Sequence, residues 1–306
     1  MTPFQLFLQQ LANGLTLGAI YALIALGYTM VYGVVQLINF AHGEVFMVGA
    51  YAALTLVCLA GWSTFGTGMP WGVTLLLCGA GAMAVCAGLG AVIERVAYRP
   101  IRQAPRLNTL ITAIGVSFFL QNAVMLLYGA TDKQFPSLLP SVHWDLGGVT
   151  VTLMQVVVWV ASALLMLGLQ FLVVSTKLGM AMRATAQDLK ACALLGIPVN
   201  RIIAMTFVIG SAFAAVGGML FGLHYGTINF HDGYLMGLKA FTAAVLGGIG
   251  NIPGAMVGGL VLGLLEALGA GYLSAQWKNV FAFVVLVVLL LFRPTGLFGE
   301  RVAERA

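Results

Sequence analysis

Apolar runs of bilayer length, punctuated by clusters of basic residues, constrain this chain more than any other feature of its 306 residues. The runs at 71–94, 107–128, 150–174 and 202–223 each reach the ~20 residues a helix needs to cross a ~30 Å hydrocarbon core. Inside that core no water satisfies the backbone, so only helices and closed barrels span it. None of the runs alternates apolar and polar residues as barrel strands do, and the chain is read as all-α and polytopic, a single transmembrane unit over 1–306. With 8% charged residues, against roughly 25% in soluble domains, and 61% hydrophobic residues, a soluble globular fold is excluded. The opening MTPFQLFLQQLANG lacks the basic stretch of a cleavable leader and is expected to remain. Cys58, Cys78, Cys86 and Cys192 show neither CxxC spacing nor paired loop positions, so neither a disulfide framework nor a metal site is expected.

The net charge of +5 matters less than its distribution. Of the 14 Lys and Arg, 11 fall in three clusters: Arg95, Arg99, Arg102 and Arg106; Lys177, Arg183, Lys190 and Arg201; and Arg293, Arg301 and Arg305. The positive-inside rule places all three on the cytoplasmic side, and with them the C-terminus. The connections Gly61–Pro70 and Gly129–Gly148 then face outward.

A last inward span at about 279–292 leaves 224–278 beginning and ending outside. Within it a short apolar piece, Leu235–Leu246, meets the break GGIGNIPG and a longer piece, Ala255–Leu268. Twelve helical residues reach only ~18 Å, too short for the core, so a broken or half-spanning helix is expected near 247–254. The N-terminal end is similar: Leu11–Val35, then the polar-interrupted QLINFAHGE over 36–44, then Val45–Ala60. Two full crossings put the N-terminus outside, whereas a half-helix at 45–60 puts it inside. About eight membrane segments result.

The two ends echo one another. Ile38-Asn39-Phe40-Ala41-His42-Gly43 matches Ile228-Asn229-Phe230-His231-Asp232-Gly233 at an offset of 190 residues, each copy preceding an apolar run. A chance match in so biased a composition and an inverted repeat lining a transport path both fit.

Ionisable groups inside such spans are costly and usually have a purpose; here they are His42, Glu44, Lys239 and Glu266. His42 and Glu44 suit either an interfacial pair at a helix start or a lining of the path. Lys239 suits snorkelling to the interface, or a pair with Glu266 that no spacing argument supports. The candidate path lining is Asn39, Phe40, His42, Glu44, Phe46, Met47, Asn229 and Lys239. Gly14/Gly18, Gly218/Gly222 and Gly254/Gly258 follow small-xxx-small spacing, which favours close helix packing. Gly247, Gly248, Gly250 and Gly254 form the helix break, whose freed backbone must lie against protein or a wet cavity and is expected to border the path or a dimer interface.

Between two spans lies the polar stretch Lys177–Arg201. Ser175 or Thr176 can cap a helix start, Gly179 and Gly196 punctuate it and Pro198 stops it, so a short helix is expected at about 181–195. Its small apolar residues suit close approach of another protein, and an amphipathic connector resting on headgroups fits equally well.

That order of a basic turn, a short alanine-rich helix and Leu-Gly-Ile resembles the cytoplasmic coupling helix of ABC importer permeases, with Ala186-Gln187-Asp188 where many importers have Glu-Ala-Ala. NGLTLGAIYALIALGYTMVYGVVQLINFAHGEVFMVGAY, IERVAYRPIR, TAIGVSFFLQN, RATAQDLKACALLGI and KAFTAAVLGGIGNIPGAMVGG together resemble the permease subunit of the high-affinity branched-chain amino acid importers, from about Leu11 to Gly296. The resemblance implies a multi-pass subunit of a bacterial inner membrane that passes leucine, isoleucine and valine by alternating access. It implies a second related permease in a heterodimer, a periplasmic binding protein and two cytoplasmic ATPases. The ATPases would dock on Arg183, Ala186, Gln187, Asp188, Lys190, Leu195 and Gly196. No G-x-x-x-x-G-K-[ST] is present, so ATP and Mg belong to those partners, and this chain is expected to be non-catalytic and free of cofactor and metal. No nucleic-acid partner is expected. A permease for urea, short amides or a broader amino acid set shares these motifs, and a self-contained secondary transporter or channel is the rival from another class.

Overall fold

The computed structural model describes residues 2–60, 70–102, 104–293 and 295–299, and it is helical almost throughout. Arg301 and Arg305 of the third basic cluster and 61–69 of the first outward connection lie outside these residues, as does the side chain of Arg106. The helices are α1 (Pro3–Val35), α2 (His42–Leu59), α3 (Trp71–Ile93, prolonged by a π turn over Glu94–Tyr98), α4 (Arg106–Tyr128), α5 (Leu153–Ser175), α6 (Lys177–Gln187), α7 (Leu189–Leu194), α8 (Val199–Tyr225), α9 (Asp232–Gly247), α10 (Ile252–Tyr272) and α11 (Lys278–Phe292). Among the described residues eight helical stretches are long and apolar enough to cross a bilayer. The sixteen-residue α9, about 24 Å long, falls short of that length.

Two small antiparallel pairs stand outside the helices and were not foreseen: β1 (Lys133–Gln134) with β4 (Thr227–Ile228), and β2 (His143–Asp145) with β3 (Thr150–Thr152). Both lie in or against the loop between α4 and α5. The start of α1 is tied to that loop, since Gln5 donates to Gly147 O and Gln9 to Thr150 O. The N-terminal end of α1 therefore shares a face with this loop, opposite α6 and α7. Two crossings at the N-terminal end, rather than a half-helix at 45–60, account for that placement.

Helix α1 is the hub, enclosed along nearly all of its apolar length. It runs antiparallel to α10, because Gly14 meets Leu264, Gly18 meets Leu260 and Gly33 meets Gly250. A Cβ on Gly18 would stand 2.7 Å from Leu260 Cα, so only glycine permits this approach, and apolar helices that lack a hydrophobic driving force in lipid gain dispersion contact from it. Helix α8 is likewise antiparallel to α1, with Gly210 against Gly27 and Gly217 against Leu23 and Ile24. At the other extreme α11 is almost bare of burial, a face left for lipid or protein.

Three boundaries differ from expectation. The polar stretch forms two helices, not one over 181–195. Thr176 caps α6 by accepting from Gly179 N, which starts the helix at Lys177 and puts Gly179 inside its first turn. Asp188 takes an extended conformation and its Oδ1 accepts from Lys190 N and Ala191 N, ending α6 and starting α7. Gly254 lies within α10, capped by Asn251, so the helix break is confined to Gly248–Asn251 with Gly248 and Gly250 at φ of 107° and 96°. Helix α2 begins at His42, three residues before the apolar run, because Asn39 organises the turn ahead of it. Of the four cysteines Cys58 is exposed and the others are buried.

Candidate functional site: a mid-membrane meeting point and an exposed helical tip

The sequence echo is a structural repeat. Helices α1 and α8 both end in a left-handed residue, Gln36 at φ 57° and Gly226 at φ 71°, each donating to the carbonyl four residues back. Asn39 Oδ1 then accepts from Ala41 N at 3.1 Å, and Asn229 Oδ1 from His231 N at 2.9 Å. Helices α2 and α9 begin at His42 and Asp232, again 190 residues apart. Because α1 and α8 are antiparallel, one copy enters from each face, which makes the repeat inverted.

Both extended segments turn back into the bundle. His42 lies against Gly27, about two turns before the end of α1, and His231 bonds Gln121, about two turns before the end of α4. The two new helices meet there backbone to backbone: a Cβ on Gly237 would lie 2.9 Å from Gly43 Cα. Here φ is ordinary and the glycines are required by the approach alone. Tyr98, in the π turn after α3, donates to Asn39 Oδ1 at 2.8 Å and so braces the first copy. Asp132 accepts from the Asn229 side chain and Asp232 from its N–H, which brace the second.

Glu44 stands at this junction. It is buried, its Oε1 accepts from Ser117 at 3.2 Å, and its Oε2 lies against Gly233 without a hydrogen-bond partner among the described residues. The first-turn position favours a carboxylate by ~0.3–1 kcal/mol, less than the ~2.5–3.5 kcal/mol charged for an ionised residue at the bilayer centre. A cavity of 280 Å³ adjoins it, lined by Tyr28, Phe40, Ile114, Ser117, Phe118, Gly233, Tyr234, Gly237 and Leu238. His42 is buried edge-on to Tyr28, with ring centroids 4.9 Å apart. Of the expected path lining, Phe40 borders this cavity, and Glu44 lies behind Ser117 and Gly233. Phe46 and Met47 are enclosed in the bundle, Phe46 packing on Phe221 across α8.

Lys239 does not snorkel. Its Nζ is buried 2.8 Å from Glu266 Oε1, Tyr21 donates to Glu266 Oε2 at 2.9 Å, and Lys278 reaches Oε1 at 3.3 Å while bonding Tyr225. Tyr21, Tyr28 and Ser117 escaped sequence reading because single polar residues in apolar runs carry no spacing signal, and Lys278 because it stands in the polar turn before α11, where nothing local ties it to Glu266. Gly233 was within reach as the partner of Gly43 in the echo.

At the far end of α1 a second cavity, 290 Å³, joins Gly33 and Gly250 to Arg183, Ala186 and Gln187 of α6. The carbonyls freed at the break are taken up by the chain's own tail: Leu297 N donates to Leu246 O at 2.8 Å and Phe298 N to Gly247 O at 3.0 Å. Beyond it α7 projects Leu194 and Leu195, 89% and 80% exposed, with Asp188, Lys190 and Gly196 exposed beside them. The Ala191 and Lys190 amides on Asp188 hold its carboxyl below the usual carboxylate range. The cap is thus intact at neutral pH and is lost only as pH falls through that lowered value. Asp188→Ala is expected to speed amide exchange at Lys190 and Ala191 several-fold with the spans unaffected, read by hydrogen–deuterium exchange.

The family model for the branched-chain amino acid transport system / permease component matches residues 10–290. The high-affinity branched-chain amino acid transport system permease protein LivH of Escherichia coli K12 is 49% identical over 99% of this chain and 98% of its own length. BraD, the permease protein of the same description in Pseudomonas aeruginosa, is 51% identical over 98% of each. A probable branched-chain amino acid permease of Methanocaldococcus jannaschii is 25% identical over 90% of this chain and 88% of its own.

Proposed function

The chain belongs to the branched-chain amino acid transport permease family, and from that premise we propose that it is one half of an ATP-driven, binding-protein-dependent import path for leucine, isoleucine and valine. The other half is a second, related permease in a heterodimer. A periplasmic binding protein delivers substrate to the face carrying the α4–α5 loop. Two cytoplasmic ATPases, which hold ATP and Mg, grip the opposite face, one of them at α6 and α7. The C-terminus lies on that cytoplasmic face of a bacterial inner membrane.

The observation that carries this reading is the exposed pair Leu194 and Leu195 on a capped helical tip outside the spans. A tip resting on headgroups would need only an apolar face. Here the adjoining α6 also packs on α1, α5 and α8, and shares a cavity lining with Gly33 of α1 and Gly250 of the break before α10. Movement of the tip would reach the hub helix α1 through its packing with α6. Closure of the ATPases would rock that unit and switch the path between its two openings.

Reconstitution tests it. In proteoliposomes the full complex is expected to accumulate leucine only with ATP inside and binding protein outside. Leucine uptake by this chain alone on an ion gradient would make it a secondary carrier, and uptake of urea or acetamide in preference to leucine would point to the amide branch of such importers.

A further inference from the structure

The 290 Å³ cavity at the inner end of α1 has walls that divide by chemistry. One wall is polar, formed by Arg183 and Gln187 of α6, both exposed, together with Gly250 of the glycine break. The other is apolar, formed by Met30 and Val34 of α1, Val173 of α5 and Ile252 of α10. Arg183 is turned toward the spans, since its Nη1 donates to Val174 O at 3.3 Å. It forms no ion pair among the described residues, and no acidic side chain among them lines the cavity. Helix α10 begins at the same space with Ile252, so the positive end of a 21-residue helix adds to the field of the guanidinium. A cation on the lining, with no anion beside it, leaves this cavity without its counter-charge.

We propose that this cavity binds the carboxylate of a small aliphatic acid arriving from the cytoplasm, the imported amino acid first among them, with Arg183 as donor to the carboxylate. The cytoplasmic placement and the identity of that acid rest on the import reading above. The apolar wall takes the aliphatic side chain. At 290 Å³ the space is at the small end of ligand cavities, about 300 Å³ upward, as a single amino acid requires. Because the lining offers a cation and no acidic side chain, the site reads the carboxylate and not the ammonium, which stays at the exposed rim beside Gln187. Leucine and 4-methylpentanoate therefore bind alike, and the neutral 4-methylpentanamide does not. Helix α6 forms one side of the cavity while α1 and the break before α10 form others, so an occupant holds these elements at their present spacing. Product accumulating inside thereby slows the rocking that would import more of it.

The test uses the complete complex in phosphatidylcholine nanodiscs without binding protein or ATP, and L-photo-leucine, the diazirine analogue of leucine, as probe. Adducts are expected within 30–34, 173–187 and 250–252, and excess leucine or 4-methylpentanoate should suppress them equally. 4-Methylpentanamide, of the same shape without the charge, should not. Arg183→Gln should lower the labelling about tenfold, and Arg183→Lys should restore part of it, as loss and partial return of a charge-assisted donor do. Suppression by the amide as well as the acid overturns the carboxylate assignment, and adducts confined to other segments overturn the site. Abolition of the labelling when phosphatidylglycerol is added to the discs makes a lipid phosphate the occupant and overturns the assignment to a soluble acid. Should the Arg183 variants fail to assemble, the competition arms on the unmodified complex decide. With leucine-loaded binding protein and ATP added, 4-methylpentanoate should lower ATP hydrolysis several-fold, and hydrolysis that does not change overturns the brake. Leucine uptake in proteoliposomes separates the two readings. A complex that labels this cavity but imports no leucine refutes the import reading, whereas one that imports leucine without labelling it refutes only the site.

Discussion

Glu266→Leu is expected to destabilise the bundle more than any other single change among its buried charges. The carboxylate is fully buried and serves three partners on three other helices: Lys239 on α9 at 2.8 Å, Tyr21 on α1 at 2.9 Å and Lys278 on α11 at 3.3 Å. Removing one partner of a buried pair costs about 3–5 kcal/mol, because the other charge is left desolvated. Here two ammonium groups that share one carboxylate oxygen would be left facing each other, which places Glu266→Leu at the top of that range. Lys239→Met should cost less, since Lys278 and Tyr21 still hold Glu266. If the cost arises from the orphaned charge, the double variant Lys239→Met/Glu266→Leu must lose less than the sum of the two single losses, by a coupling of about 0.5–3 kcal/mol. Thermal melts of the purified complex, with yield of inserted protein beside them, measure all three. A simple sum of the two single losses would show that packing, not charge, sets the value of the cluster.

What was legible in the sequence followed from the strength of the physical constraint on each segment. Spans expected at 107–128, 150–174 and 202–223 appear as Arg106–Tyr128, Leu153–Ser175 and Val199–Tyr225, because hydrocarbon thickness sets their length and charge sets their ends. The polar stretch 177–201 lies between two spans as expected, but as two helices rather than one over 181–195. Asp188 reads from sequence as one more polar contact on a helix, and only its extended backbone makes it the cap of the next. The break at 247–254 was visible as glycines, yet the strands of backbone that satisfy it come from Leu297 and Phe298, some fifty residues on, and no local signal could name them. The echo of Asn39 and Asn229 was readable as six letters. That the copies meet through Gly43 and Gly237 depends on how α1 and α8 cross, which is a tertiary fact. The Lys239–Glu266 pair has no spacing signal for the same reason: it joins α9 and α10 across a turn whose geometry the sequence does not fix.

Replacing Leu194 and Leu195 together by aspartate is expected to abolish import while leaving the permease folded. Both side chains stand in solvent, 89% and 80% exposed, so the bundle gains little from them and its melting temperature should not move. Their value lies in what they meet. Losing two leucines from the desolvated centre of an interface costs on the order of 1 kcal/mol each, and burying an aspartate in place of each adds a further penalty, so ATPase affinity should fall by about a hundredfold. Co-purification of the ATPases should therefore fail, and leucine uptake should drop to background with binding-protein docking on the opposite face retained. Lys190→Ala, at the rim of the same tip, should weaken assembly only slightly, as exposed charges do. The contrast between the two variants separates the competing accounts of this stretch. An amphipathic connector floating on headgroups would lose membrane contact in the double aspartate variant but keep its ATPases. A lever gripped from below loses the ATPases first, because its apolar tip is the surface they bury.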